Sequence, residues 1–340
     1  MKPGPLALSL GDPAGIGPEI VVKAWNELRH GGPPFMVVGD YQSLASASGG
    51  GGAGILRQVV APAQALEAFA DALPVLNLPL KSPVVAGQPS SAAAPSIIQW
   101  IETAVGLALS GAVAGVVTAP ISKAPLYEAG FKFPGHTEFL GELTAAERFD
   151  GARGPVMMLT AGGLRVALVT VHMPLAKVSA ALSIEAIVNV ALVTADALRR
   201  DFGVRSPRLA VAGLNPHAGE GGGIGREEIE IVAPAVAALQ DLGIDVSGPY
   251  PSDTLFPEAM RASYDAAICL YHDQALIPVK MLDFWGGVNV TLGLPIVRTS
   301  PDHGTAFDIA GRGLARPDSL IAAIRLADQI AQARAKEPRG

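Results

Sequence analysis

The chain has 340 residues, 49% of them hydrophobic and 16% charged, which fits a folded protein with a large core and excludes an extended disordered one. Its formal net charge of −6 offers no basic footprint, so no nucleic-acid partner is expected. Cys269 is the only cysteine, which excludes an intrachain disulfide, and its place in the apolar run AAICLY reads as a buried thiol.

The opening MKPGPLALSLGDPAG lacks the long apolar region of a signal peptide. No apolar stretch reaches membrane-spanning length without interruption, so a cytoplasmic protein with no membrane partner is the expectation. Pro5–Leu10 predicts a first strand, stopped by Gly11-Asp12-Pro13. GIGPEIVVKAWNEL then predicts a helix, with Pro18 in the first turn where its missing N–H has no partner to lose. Phe35–Gly39 predicts a second strand, and Ser43–Gly54 reads as a mobile Gly/Ser loop. Ile97–Leu109 predicts an apolar helix, and Ala112–Val117 a buried strand ending in Thr118-Ala119-Pro120. Further strands are predicted at Val156–Leu159, Arg165–Val171, Arg208–Ala212 and Ala266–Leu270, with helices at Ser183–Phe202, Arg226–Leu242 and from Pro317 to about Ala335. This alternation points to an α/β fold with mainly parallel sheets and helices on both faces.

Such sheets bind ligands beyond the carboxyl ends of their strands. Three histidines stand just past predicted strands: His172, His217 and His272. Neutral imidazole is a common ligand of zinc and related metals, and three protein ligands plus an open position describe a catalytic metal site. Each taken singly is equally a satisfied polar residue past a strand. GEGGGIG after His217 can offer backbone N–H groups to an anion or act as a flexible connection. Thr137 is placed to cap a helix, and His136 beside it can donate to a phosphate or carboxylate there. Lys280, Asn289 and Arg298 can complete an anion pocket, or simply be solvated. They lie in Leu270–Gly311, where polar residues alternate with apolar and glycine-rich segments and strand ends and loops are expected.

GDPAGIGPE, TAPISK, GHTEFL, VHMPL, GLNPHAGEGGGIGREE, PSDTLF, YHDQALIPVK and GVNVTLGLPIVRTSPDHGTAFDIAG, in this order from Gly11 to Gly311, resemble the 4-hydroxythreonine-4-phosphate dehydrogenase family of vitamin B6 biosynthesis. The resemblance implies oxidation of the C3 hydroxyl of 4-phosphooxy-L-threonine by NAD, with NADP the alternative, and decarboxylation to 3-amino-2-oxopropyl phosphate. It implies one divalent ion (zinc, magnesium or cobalt) on His172, His217 and His272. Substrate contacts fall on His136, Thr137, Lys280, Asn289 and Arg298. It also implies a homodimer with shared active sites, His272 being the histidine donated across. HGTAFDIAGRG resembles the cofactor loop of isopropylmalate and isocitrate dehydrogenases, which makes His303, Gly304 and Asp308 the cofactor-facing candidates. By the same analogy the fold is two-lobed, with a cleft between the lobes. One lobe, residues 1–130 plus 300–340, would face NAD; the other, 131–299, would carry metal, substrate and dimer contacts. Asp253 and Asp273 are the candidates for the base. The alternatives are a paralogous D-threonate or D-erythronate 4-phosphate dehydrogenase, a phosphometabolite-binding protein without turnover, and a phosphate acyltransferase.

Overall fold

In the computed structural model, which describes residues 4–49 and 54–336, the chain divides into two units. The first comprises the chain up to Ala146 and from Pro295 onward; the second is Glu147–Leu294. The breaks therefore fall after Ala146 and Leu294, where the sequence suggested residues 130 and 299. The difference has two causes. The helix His136–Leu143 packs on the helix Ala94–Leu109, and Arg298 pairs with Val116, so His136, Thr137 and Arg298 all join the first unit.

The first unit is built on β1 (Leu6–Ser9), β2 (Phe35–Gly39), β3 (Leu56–Gln58), β4 (Leu73–Asn77), β5 (Val116–Thr118) and the late strand β12 (Arg298–Pro301). Their order is β3-β4-β2-β1-β5-β12, all parallel. β1 and β2 are buried at every position, which is why LALS and FMVVG read as continuous rather than alternating apolar runs. The helix Gly17–Leu28 carries Pro18 in its first turn and buries Trp25, whose indole N–H donates to the Phe69 carbonyl at 2.8 Å. The stretch Ser91–Leu109 is long and apolar enough to cross a membrane by length and composition. Its Ile97, Trp100, Ile101, Ala104 and Val105 are buried, and it packs on β1, β2 and β5.

The second unit orders β6 (Val156–Ala161), β7 (Leu164–Leu168), β8 (Arg208–Ala212), β9 (Asp245–Tyr250), β10 (Ala266–Cys269) and β11 (Val288–Leu292) as β11-β6-β7-β10-β8-β9. β6 runs antiparallel to both of its neighbours, and the other pairs are parallel. The β6–β7 hairpin turns on Gly162 and Gly163, at φ 55 and 82, the left-handed pair that a tight two-residue hairpin needs. The long helix Ile184–Phe202 starts where the Ser183 side chain accepts from Ala186 N–H, and ends at Gly203 in the left-handed region.

Three expectations change. The helix Tyr41–Ala47 occupies much of the stretch read as a loop, because Asp40 caps it by accepting from the Ser43 N–H and hydroxyl; residues 50–53 lie outside the described residues. β5 begins at Val116 rather than Ala112. After β10 the chain enters a helix, His272–Leu282, with Pro278 inside it, and then adds β11 and β12.

Candidate active site

In the first unit a cationic cluster gathers at the start of His136–Leu143. No side chain caps this helix: Gly135 is the N-cap, and Thr137 sits within the first turn instead of before it. Its first N–H groups and its dipole favour an anion there. Arg298, 2% exposed, extends from β12 and donates to the Thr118 hydroxyl at 2.7 Å. Burial pushes the Arg298 guanidinium down to about 10, partly offset by the Glu138 carboxylate. The His136 Nε2 is sealed from solvent and has no hydrogen-bond partner. Burial, then the positive charges of Arg298 and Lys123, hold its pKa well below the usual imidazole range. The Lys123 Cε and Glu138 Oε2 both lie at van der Waals distance from where a Cβ on Gly135 would stand, so both side chains flank the start of this helix. The result is a half-buried neutral imidazole with its Nε2 sealed from solvent, two cations and an open helix end, which can bind a phosphate or carboxylate.

The same unit holds a cavity of about 810 Å³ at the carboxyl ends of β1, β2 and β4. Gly15, Lys23, Asp40 and Lys81 line it, and Gly311 and Gly313 close one side. This volume lies within the roughly 300–1,000 Å³ of small-molecule and cofactor sites. The loop from His303 to Gly313 is tied to the β1–α turn, where Ile16 N–H donates to the Thr305 carbonyl at 2.9 Å and a Cβ on Gly15 would strike Thr305. Glu19 accepts from Gly313 N–H and Ala315 N–H, while Lys23 donates to Glu19 and to both carbonyls. His303, Gly304 and Asp308 are exposed on this loop. Asp12 at the end of β1 is buried and its carboxyl is raised by that burial, with a bond from Ala14 N–H opposing.

In the second unit His172 and His272 face each other with ring centroids 5.8 Å apart. Two imidazoles bound tetrahedrally at ~2.0–2.1 Å place their centroids roughly 5 Å apart, so the pair fits two ligands of one ion. The His272 Nδ1 lies 2.7 Å from Asp273 Oδ1, and the His217 Nδ1 2.9 Å from Glu220 Oε2. A carboxylate on Nδ1 fixes the tautomer and leaves Nε2 as the lone-pair donor, the arrangement that metal-ligating histidines use. Yet His217 is not gathered with the pair: among the described residues no group of three His, Cys, Asp or Glu is placed to hold a metal. His272, which the resemblance makes the histidine donated to a partner, stands beside His172 of its own chain. A cavity of about 600 Å³ opens at the pair, lined by Thr170, Met173, Leu175 and Tyr271 among others.

His217 begins a left-handed turn. Six successive residues, His217 to Gly222, have positive φ, and His217, Ala218 and Glu220 are not glycine. Left-handed backbone costs a side-chain-bearing residue about 1–2 kcal/mol, so neighbouring contacts must hold this segment.

The other candidates separate. Asp253 is exposed in the short helix Ser252–Leu255. Asp273 is exposed, with its Oδ1 2.7 Å from the His272 Nδ1. Lys280 lies 5.4 Å from the Phe284 ring, and the Asn289 Oδ1 on β11 is buried without a hydrogen-bond partner. Thr118 is legible in the sequence only as a strand end, and Lys123 and Glu138 carry no assigned role there. The TAPISK segment announced a strand end, but nothing in it showed that Lys123 and Thr118 share a pocket with His136 and Arg298.

Residues 33–327 match the family described as pyridoxal phosphate biosynthetic protein PdxA. A 4-hydroxythreonine-4-phosphate dehydrogenase of Caulobacter vibrioides is 69% identical over 334 residues, covering 98% of this chain and 99% of its own. That of Maricaulis maris is 55% identical, with 97% and 98% covered. A 1.25 Å crystal structure of 4-hydroxythreonine-4-phosphate dehydrogenase from Klebsiella pneumoniae superposes with a TM-score of 0.83 at 42% identity, over 97% of this chain and all of that one.

Proposed function

The chain belongs to the pyridoxal phosphate biosynthetic PdxA family, and on that premise we propose that it oxidises 4-phosphooxy-L-threonine at C3 and releases CO2 to give 3-amino-2-oxopropyl phosphate. It is a dehydrogenase of that biosynthesis. The observation that carries the substrate class is the meeting of Arg298, Lys123 and His136 at the uncapped start of His136–Leu143. A phosphate there accepts from the helix N–H groups and from a neutral His136 whose Nε2 carries the proton. Arg298 and Lys123 supply the opposing charge. Anchoring the phosphate fixes the carbon chain, and such positioning can remove a large part of the barrier.

His172 and His272, joined by His217, would hold a divalent ion, which when bound supplies Lewis acidity toward the C3 hydroxyl and the developing enolate. Asp273 and Glu220 keep the imidazoles of His272 and His217 in the ligating tautomer. The cavity closed by Gly311 and Gly313 suits a nicotinamide dinucleotide, with Asp308 on the adjoining loop favouring NAD over NADP.

The protein works as a homodimer in this reading. The helix His272–Leu282 and the turn after it expose Ile277, Met281, Phe284 and Trp285 at 62, 82, 61 and 50%, an apolar face that a second copy would cover. His217, the histidine that the pair lacks, is then the one supplied by the other copy.

The test is NADH absorbance with metal-loaded protein, NAD and 4-phosphooxy-L-threonine, beside D-threonate 4-phosphate and D-erythronate 4-phosphate. Turnover selective for the amino substrate and lost on chelation is expected. Preference for a hydroxy acid would overturn the substrate assignment, and full turnover after chelation would overturn the metal.

A further inference from the structure

Glu228 is 3% exposed, although it is a carboxylate and none of its hydrogen-bond partners is a cation. Three N–H donors converge on it. Oε1 accepts from the backbone N–H groups of Leu214 and Asn215, at 2.8 and 2.7 Å; Oε2 accepts from the Asn215 side-chain amide at 2.9 Å. All three donors belong to the segment that joins β8 to His217. The left-handed turn itself folds down on the same group: a Cβ on Gly219 would lie 2.6 Å from Glu228 Oε2. Glu228 also opens a π-helical turn, Glu228–Val232, in which Ala233 N–H reaches back five residues to the Glu228 carbonyl. Single π turns recur at functional sites, where one extra residue re-aims a side chain.

We propose that Glu228 is a positioning residue for His217. Its buried carboxylate fixes the root of the left-handed turn, and the turn in turn fixes the direction in which the imidazole is presented. The turn is unfavourable for His217, Ala218 and Glu220, and without an anchor on both flanks it would relax toward ordinary backbone and carry the imidazole away. Glu228 supplies the upstream anchor. Downstream, Ile224 N–H bonds to the Gly219 carbonyl at 3.1 Å. This inference rests on the reading of His217 as a metal ligand.

Glu228→Gln isolates the effect. The amide keeps the side chain's size and can still accept from Leu214 and Asn215, but it turns an NH2 toward the Asn215 NH2, so one bond becomes a clash of donors. The assay titrates apo protein with Co²⁺ or Zn²⁺ against a chromophoric chelator, for wild type, Glu228→Gln, His217→Ala and the double variant, with unfolding of each apo protein recorded alongside. The expected result is a loss of metal affinity of roughly tenfold to a hundredfold in Glu228→Gln. The apo protein should unfold near the wild-type temperature, and the double variant should bind no more weakly than His217→Ala. Should Glu228→Gln not fold, Asn215→Ser, which removes the amide's bonds to Glu228 and Glu227 while leaving both backbone donors to Glu228, is read by the same cycle. Additive losses in the double variant, or wild-type affinity in Glu228→Gln while His217→Ala is impaired, would overturn this inference alone. Wild-type affinity in His217→Ala would remove the metal-ligand reading and the inference with it.

Discussion

His136 should make the protein's stability depend on pH in a way that one substitution abolishes. Its Nε2 is buried without a partner, and Arg298 and Lys123 are the charges that act on it. Protonation would place a third positive charge in a pocket whose carboxylate, Glu138, already faces Arg298. Burial, and then those two cations, therefore hold the folded-state pKa well below the ordinary 6.5. In the unfolded chain the ring titrates normally, so below that ordinary value the unfolded state binds the extra proton. Stability is then present above the unfolded pKa and falls as pH drops through it, by up to ~1.4 kcal/mol per pH unit until the folded ring also titrates. His136→Gln keeps a polar side chain and removes the titration. Urea unfolding of both proteins, without substrate, at pH values of about 7, 6 and 5 isolates the term as a difference of slopes. Wild type should lose stability faster than the variant on acidification. Parallel curves would mean that the ring titrates alike in both states, and the account of this pocket as closed and cationic would be wrong.

Two further predictions follow from the same geometry. Arg298→Met removes the charged donor that we propose for the substrate phosphate, so KM should rise roughly tenfold to a hundredfold, as loss of a hydrogen bond to a charged group implies, with kcat changed less; an unaltered KM would move the phosphate elsewhere. Met281→Asp puts a charge on a side chain that is 82% exposed within the apolar face of His272–Leu282, and sedimentation should show the dimer dissociating to monomer; an unchanged dimer would place the contact on another surface.

The elements legible in the sequence were those whose burial is written in consecutive residues. FMVVG and RLAVA are buried on both faces over most of their length, so β2 and β8 could be delimited to the residue, and Ser183 and Gly203 mark the ends of Ile184–Phe202 by cap and left-handed turn. β11 and β12 were not legible because they carry polar residues into the interior: Thr291, Thr299 and Ser300 are buried, and Thr299 donates its hydroxyl to the Ala323 carbonyl. Pro278 concealed the helix that begins at His272, since proline in a helix interior normally argues for a break. Lys123 was invisible for a different reason. A lysine between short apolar residues reads as solvated, and only the fold brings it to His136 and Gly135.

The histidines show which part of a site spacing can reach. Their positions past β7, β8 and β10 were readable because parallel strands deliver residues to one end of a sheet. What spacing could not give is the orientation of each ring, which depends on partners near in sequence but set by backbone conformation. For His272 that partner is its neighbour Asp273, reached at the first turn of a helix. For His217 it is Glu220, reached only because six residues run left-handed. The two rings therefore differ in how their direction is held. A regular helix that starts after a buried strand aims His272, and substitutions nearby should act locally. His217 is aimed by a turn unfavourable to its own residues, so the ligation we propose for it would depend on groups that never touch the ring, among them the buried Glu228.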